Sequence, residues 1–265
     1  MKKLLIKAAK YSGAILFWII IWFIVSLIAN DRLFLPTPID VIVSGFAMVK
    51  TSDFWKSIFN SMTSVVSGVA VSFLIGGLLA FATSASKVLD TLFSPILSII
   101  KATPVASFIV LAFLWFSSRN AIPALPAFIS SLIVIPIVTS NLKQGLESID
   151  GDLKEVTKIY GFSPIKTLFK LYIPSVYPFF IAACRSSLGM AWKACVAAEM
   201  IVFVSDTIGR LMYEQKTYLD FSSTFALTIT TIILSVALEK VVLFALDTLG
   251  RKLRFVKGGT EDAKN

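Results

Sequence analysis

The 265-residue sequence contains no histidine and only two cysteines, Cys184 and Cys195. Without histidine there is no Ser–His–Asp relay and no H-E-x-x-H zinc site, and most transition-metal sites lose their commonest ligand. If the stretch holding the two thiols is helical, they stand about 16 Å apart along its axis, too far for a disulfide between them. No G-x-x-x-x-G-K-[ST] run occurs, so the chain carries no phosphate loop of that type. Charge is scarce as well: Asp, Glu, Lys and Arg make up 15 % of the residues, against ~25 % in soluble domains.

What fills the space is apolar. Hydrophobic residues are 56 % of the chain and the mean hydropathy is +0.83. Tyr11–Asn30, Ser57–Ser86, Ala102–Ser118, Asn120–Leu142 and Phe221–Leu238 carry no charge at all. Runs of that length approach or exceed the ~17–20 residues that a bilayer-spanning helix needs. The expectation is an all-α, polytopic membrane protein of about six transmembrane helices, near Ala14–Ala29, Ser61–Thr83, Leu92–Trp115, Ile122–Leu142, Pro174–Val204 and Phe221–Leu246. The first of these is longer than a signal-peptide core and lacks an A-x-A cleavage site, so it reads as a retained helix. Pro95 and Pro104 bend or break the third.

The net charge of +9 would suggest nucleic acid in a soluble chain. Here it follows from loop composition, and no nucleic-acid partner is expected. With the N-terminus inside, 16 of the 25 basic residues fall on the cytoplasmic side and 6 outside. The positive-inside rule therefore predicts both termini in the cytoplasm of an inner-membrane protein. The resulting organisation is a tail and first helix over 1–30, an extracytoplasmic loop over 31–57, a core transmembrane domain over 58–250, and a basic tail over 251–265.

Two patterns stand out within the core. Ser64, Gly68, Ser72, Gly76 and Ala80 recur every four residues, giving one face of small side chains that lets another helix approach closely, within the chain or in a second copy. The cytoplasmic loop 143–173 is patterned rather than merely connecting. Ile149, Leu153, Val156 and Ile159 fall at helical spacing, Gly161 offers a left-handed helix end, and Ser163-Pro164 reads as N-cap and first position of a second short helix. A helix–Gly–helix element of this kind suggests docking to another protein.

Charged and polar residues inside the apolar segments are functional candidates by default. Arg185, Gly189, Trp192 and Glu199 follow a spacing that puts them on one helical face. Together with Lys193, Lys101, Thr103, Ser107, Ser186 and Trp115 they form the candidate translocation pathway, whose cations suit an anionic solute.

The loop reads Glu155-Val156-Thr157-Lys158-Ile159-Tyr160-Gly161, followed by Leu171-Tyr172-Ile173-Pro174. It resembles the E-A-A-x-x-x-G-x9-I-x-L-P signature of permease subunits of binding-protein-dependent ABC importers. Glu155, Gly161 and Pro174 are in register, and Val156-Thr157 stands in place of the paired alanines. Thr103-Pro104-Val105-Ala106, Leu114-Trp115-Phe116, the run Arg185–Trp192 and Ala198-Glu199-Met200-Ile201 are similar to the nitrate, sulfonate and taurine branch, from about residue 58 to Leu253. Ser117-Ser118-Arg119 and Asp206-Thr207-Ile208-Gly209 depart from that branch's glycine-rich turns.

The resemblance implies a type I importer permease fold and a transport subunit rather than an enzyme. It implies a second permease copy in a homodimer, two cytoplasmic ATPase subunits that use ATP and Mg, and an extracytoplasmic solute-binding protein. This chain itself would bind no cofactor or metal. Glu155, Gly161, Phe162, Ser163 and Pro164 would form the coupling element seated on the ATPase, and the solute would be an anion such as a sulfonate, taurine or nitrate. The alternative is an ATP-independent secondary transporter or channel, which would leave the patterned loop unexplained.

Overall fold

The computed structural model describes residues 2–29, 34–119 and 121–252, so most of the expected basic tail lies outside the described residues. Among them there is no strand. The helices are α1 (Lys2–Ala29), α2 (Pro38–Val49), α3 (Ser52–Ala85), α4 (Lys87–Ala102), α5 (Val105–Ser117), α6 (Leu125–Glu147), α7 (Gly151–Ile159), α8 (Pro164–Thr167), α9 (Ile173–Val202), α10 (Ile208–Thr217) and α11 (Phe221–Lys252). A π-turn, Leu168–Tyr172, joins α8 to α9.

Five of these segments are long and apolar enough to cross a membrane: Ser12–Ala29, Ser52–Ala85, Ile122–Glu147, Pro164–Val202 and Phe221–Gly250. The sixth expected span is divided. α4 and α5 meet at an angle of 105°. The cause is Pro104, which cannot continue the hydrogen-bond ladder and pushes Thr103 into an extended conformation (φ −78°, ψ 132°). Pro95, by contrast, stays inside α4.

The chain divides into two units, one drawn from residues 1–60 and 203–232 and the other from 61–202 and 233–265. The segment 203–232, expected within the core domain, thus joins the first unit. That unit contains two helices the sequence reading left as loop. α2 begins at a capping box: the Thr37 hydroxyl accepts from the Asp40 amide at 3.2 Å, and the Asp40 carboxylate accepts from the Thr37 amide at 3.1 Å. α10 begins at Thr207, whose hydroxyl accepts from the Arg210 amide. Upstream of it α9 stops two residues before the expected Val204, because Phe203 turns left-handed at φ 58°.

In the second unit the small-residue column of α3 is used within the chain. A side chain at Gly68 would come within 2.6 Å of the Ala127 carbonyl and the Ser130 hydroxyl of α6, and one at Gly76 within 2.9 Å of Val138. Ser72 donates to its own helix at Gly68 O (2.6 Å) and across to Ser131 O (3.2 Å). α6 in turn packs along α9. The outer faces of α3 and α11 stay apolar and exposed at Leu74, Leu78, Ile232 and Phe244, as lipid-facing surfaces do.

Candidate functional site

The loop between α6 and α9 is built from caps. Asp150 accepts from the Asp152 amide at 3.0 Å to start α7. Gly161, at φ +60°, ends it: the Gly161 amide donates to Lys158 O at 3.0 Å and the Phe162 amide to Thr157 O at 2.9 Å. This paired arrangement is a Schellman close, in which the left-handed residue turns the chain out of the helix. Ser163 then caps α8 by accepting from the Lys166 amide at 3.3 Å, with Pro164 at its first position. The Lys166 ammonium sits 4.0 Å from the centre of the Phe162 ring, closing the turn from outside.

The helix stop expected at Gly161 and the N-cap and first position expected at Ser163 and Pro164 are therefore seen in detail. One expectation changes. Ile149 precedes the start of α7 and is buried, while Leu153, Val156 and Ile159 are exposed, Ile159 to 80 %. Ile149 anchors the loop, and the other three present an apolar face with nothing of this chain over it. Tyr160, Ile165 and Phe169, further along the loop, are exposed as well. Glu155 is exposed beside it and makes no hydrogen bond or ion pair among the described residues.

The intramembrane candidates separate into two sets. Lys101, Ser107, Trp115, Arg185, Ser186 and Lys193 are exposed, and Thr103 and Gly189 are half-buried. Neither Arg185 nor Lys193 has an ion-pair partner among the described residues. Trp115 also lines, with Phe116, Ser118, Arg119 and Phe128, a cavity of about 500 Å³.

Trp192 and Glu199 stand apart. They are 1 % and 0 % exposed, inside the second unit. The Ser61 hydroxyl donates to Glu199 Oε2 at 2.8 Å, and the Cys195 thiol lies 3.5 Å from Oε1. Ser61 is on α3, so this cluster ties α3 to α9. The Trp192 indole N–H has no hydrogen-bond partner among the described residues. The single shared face read from spacing therefore does not hold for exposure. Fourteen residues at ~100° each leave Glu199 about 40° from Arg185 around the axis, and α3 and α6 cover the Glu199 end. Both cysteines are free and buried, as their separation required.

One polar surface escaped the sequence reading. On α4, Lys87, Thr91, Ser94, Ser98 and Lys101 are all exposed and recur at 4-3-4-3 spacing, beside an exposed apolar face at Val88, Leu92, Ile96 and Ile99. The alternation was present in the sequence but hidden by the helix's apolar average. At its start α4 is fastened to α6, where the Lys143 ammonium pairs with Asp90 and reaches Glu147 at 3.6 Å.

A family model described as "Binding-protein-dependent transport system inner membrane component" matches residues 72–255. A probable ABC transporter permease protein of Brucella melitensis is 24 % identical over 221 residues, covering 83 % of this chain and 87 % of its own length. A nitrate import permease protein of Synechococcus elongatus is 26 % identical over 196 residues (68 % and 67 %). A bicarbonate transport system permease protein of Synechocystis is 26 % identical over 168 residues (63 % and 59 %). Among solved structures, a bacterial alginate ABC transporter in complex with an alginate-bound periplasmic protein aligns with a TM-score of 0.60 at 16 % identity, over 96 % of this chain and 98 % of its own. An amino acid ABC transporter aligns at 0.58 and 19 % identity, over 78 % and 97 %. At these identities the structures show the shared fold.

Proposed function

Because the chain belongs to the family of inner membrane components of binding-protein-dependent transport systems, we propose that it forms, with a second copy, the pathway for a small anion. As a member it is a multi-pass permease subunit of an ABC importer, a transport protein and not itself an enzyme. The reading adds the partners that complete such a machine: two ATPase chains that hold ATP and Mg on the cytoplasmic side, and a solute-binding protein outside. Both termini then face the cytoplasm.

The α7–α8 loop, with Glu155, Gly161, Phe162, Ser163 and Pro164, is the surface that meets the ATPase. Its exposed apolar side chains, Leu153, Val156 and Ile159, support this, since such a patch held on a rigid capped turn marks a protein contact.

The observation that carries the choice of an anion is the unpaired charge of Arg185 and Lys193 on α9. Lys193 stands roughly 14 Å along the axis from the helix end at Val202. A cation so deep in a membrane segment needs water or a counter-ion, and here no carboxylate of the described chain supplies one. A passing anion would meet both. Lys101, Thr103, Ser107, Ser186 and Gly189 line the same path, and Trp115 with Arg119 forms its vestibule. The nitrate and bicarbonate named for two relatives fit this chemistry, as do sulfonates and taurine.

The test is uptake of labelled nitrate, bicarbonate and taurine by cells carrying the chain with its ATPase and binding protein. Arg185→Ala and Lys193→Ala should each reduce uptake of the transported anion at least tenfold while membrane levels hold. Wild-type uptake by both variants would refute a charge-guided path.

A further inference from the structure

In the second unit α4 is a strut between two joints. At its start a single residue, Ser86, separates it from α3; Ser86 is extended (φ −140°, ψ 119°) and its hydroxyl caps the new helix. At its end stand Thr103, also extended, and Pro104. On one side of that break the Thr103 amide donates to Ile99 O, on the other the Ser107 amide donates to Pro104 O, and no backbone hydrogen bond bridges the two among the described residues. Element ends of this kind are where hinges take up changes of φ and ψ.

Between the joints little fixes the strut. No residue of α4 is buried. Its least exposed face, Leu89, Phe93, Leu97 and Ile100, is apolar and half-buried. Apolar contact is non-directional, so that face holds α4 to the body of the chain without setting its angle. Asp90, half-buried beside the same face, supplies a directional contact: its carboxylate accepts from the Lys143 ammonium of α6. The ammonium also reaches Glu147, at the end of α6, at 3.6 Å. The α7–α8 loop begins just beyond, at the Asp150 cap. Only 23 % of the Lys143 side chain is exposed, so the pair is screened less than one on open surface.

We propose that the Asp90–Lys143 pair is the positioning contact through which α6, and the α7–α8 loop that follows it, set the angle of α4. The pair sits close to the Ser86 joint, and this gives it leverage. Asp90 lies roughly 6 Å along the helix from Ser86 and Ile99 roughly 20 Å, so a shift of about 2 Å at the pair becomes about 6–7 Å toward the far end. Ser98 and Lys101, at that end of the polar stripe, move with it. This role rests on those proposed above for the loop and for α4 in the solute path.

The experiment has two arms. Pulsed EPR measures the distance between spin labels on Ile99→Cys of α4 and Gln144→Cys of α6 in the assembled transporter; both positions are exposed, and both native cysteines are buried. Adding Asp90→Asn or Lys143→Gln should shift or broaden that distance by about 5 Å, as the lever requires. The exchange of Asp90→Lys with Lys143→Asp, which rebuilds the pair with reversed sign, should restore it. An unmoved distance in both single variants, or an exchange that fails to restore it, overturns the proposal.

The second arm uses the same substitutions in unlabelled chains. Each single variant should lower solute uptake about fivefold while ATP hydrolysis by the assembled transporter stays within about twofold of wild type, and the exchange should recover uptake. A fall of hydrolysis in step with uptake overturns the proposal, because the pair would then support assembly and not the angle of α4. A distance that shifts and is restored while uptake stays at the wild-type level takes α4 out of the solute path. That result would refute the path reading and leave the pair as the contact that sets the helix angle.

Discussion

Gly161 allows the proposed coupling role of the α7–α8 loop to be tested through its backbone alone. Its φ of +60° lies in the left-handed region, and a Cβ built there meets no atom of the chain within 4 Å. Any cost of a side chain is therefore conformational: about 1–2 kcal/mol for an ordinary L-residue, less for Asn or Asp, and more for a β-branched residue. The loop has little in reserve against that cost. α7 spans 9 residues with none buried, below the ~12–15 at which an isolated helix becomes even marginally stable. A loss of one or two kcal/mol shifts the ratio of closed to open turn by a factor of about 5–30.

Gly161→Asn should consequently keep uptake within about twofold of wild type, Gly161→Ala should lower it several-fold, and Gly161→Val should lower it most. Gly161→Asp strains the backbone no more than Asn does, but it puts a carboxylate on the turn proposed to meet the ATPase; it is expected to leave the chain in the membrane and reduce ATPase co-purification. The assay is recovery of the ATPase with the permease in mild detergent, alongside uptake in cells at matched membrane levels. Normal uptake by Gly161→Val would refute the reasoning. Failure of Asn together with Val would mean that the glycine matters for close approach of the partner and not for its φ.

Two further perturbations test the packing. Gly68→Ala should lower thermal stability in detergent by roughly 1–3 kcal/mol, because its Cβ falls 2.6 Å from Ala127 O; Gly77→Ala, with 3.8 Å to its nearest neighbour, should be neutral, and equal melting of the two would remove the case for close α3–α6 contact. Glu199→Gln can still accept from Ser61 and should fold with uptake reduced less than twofold, whereas Glu199→Ala removes the acceptor of the 2.8 Å Ser61 bond and opens a void, and should cost about 2–4 kcal/mol in the same melting assay. Loss of uptake in a stably folded Glu199→Gln would instead return this carboxylate to the solute path.

Much of this architecture was legible because it is written in local rules. The charge-free runs predicted four of the five unbroken spans, all but the one that holds α9; Pro104 predicted the break, and Gly161-Phe162-Ser163-Pro164 spelled out a helix stop and start that the hydrogen bonds reproduce. α2 was equally legible, through Thr37, Pro38 and Asp40, but an apolar helix of 12 residues, too short to span, between two long apolar runs is easily read as loop. The end of α9 was not legible. Nothing in the residue type predicts that Phe203 adopts φ 58°, because the reason is tertiary: its ring packs 4.3 Å from that of Tyr213 on α10.

Arg185 and Glu199 mark where local rules stop. Spacing gave both the same face, and a buried charge anywhere in a membrane segment invites a functional reading. The two differ in what the rest of the chain brings to them. Glu199 meets a hydroxyl from Ser61, a residue distant in sequence, at one oxygen and the Cys195 thiol at the other, both at full burial. Arg185 and Lys193 meet no such group among the described residues. A helical wheel cannot separate these fates, since it describes one helix and the difference lies in the neighbours. It follows that an intramembrane charge points to transport only when its own chain leaves it unpaired. By that criterion the proposed path belongs on the exposed sides of α9 and α4, and the cluster around Glu199 is packing between α3 and α9.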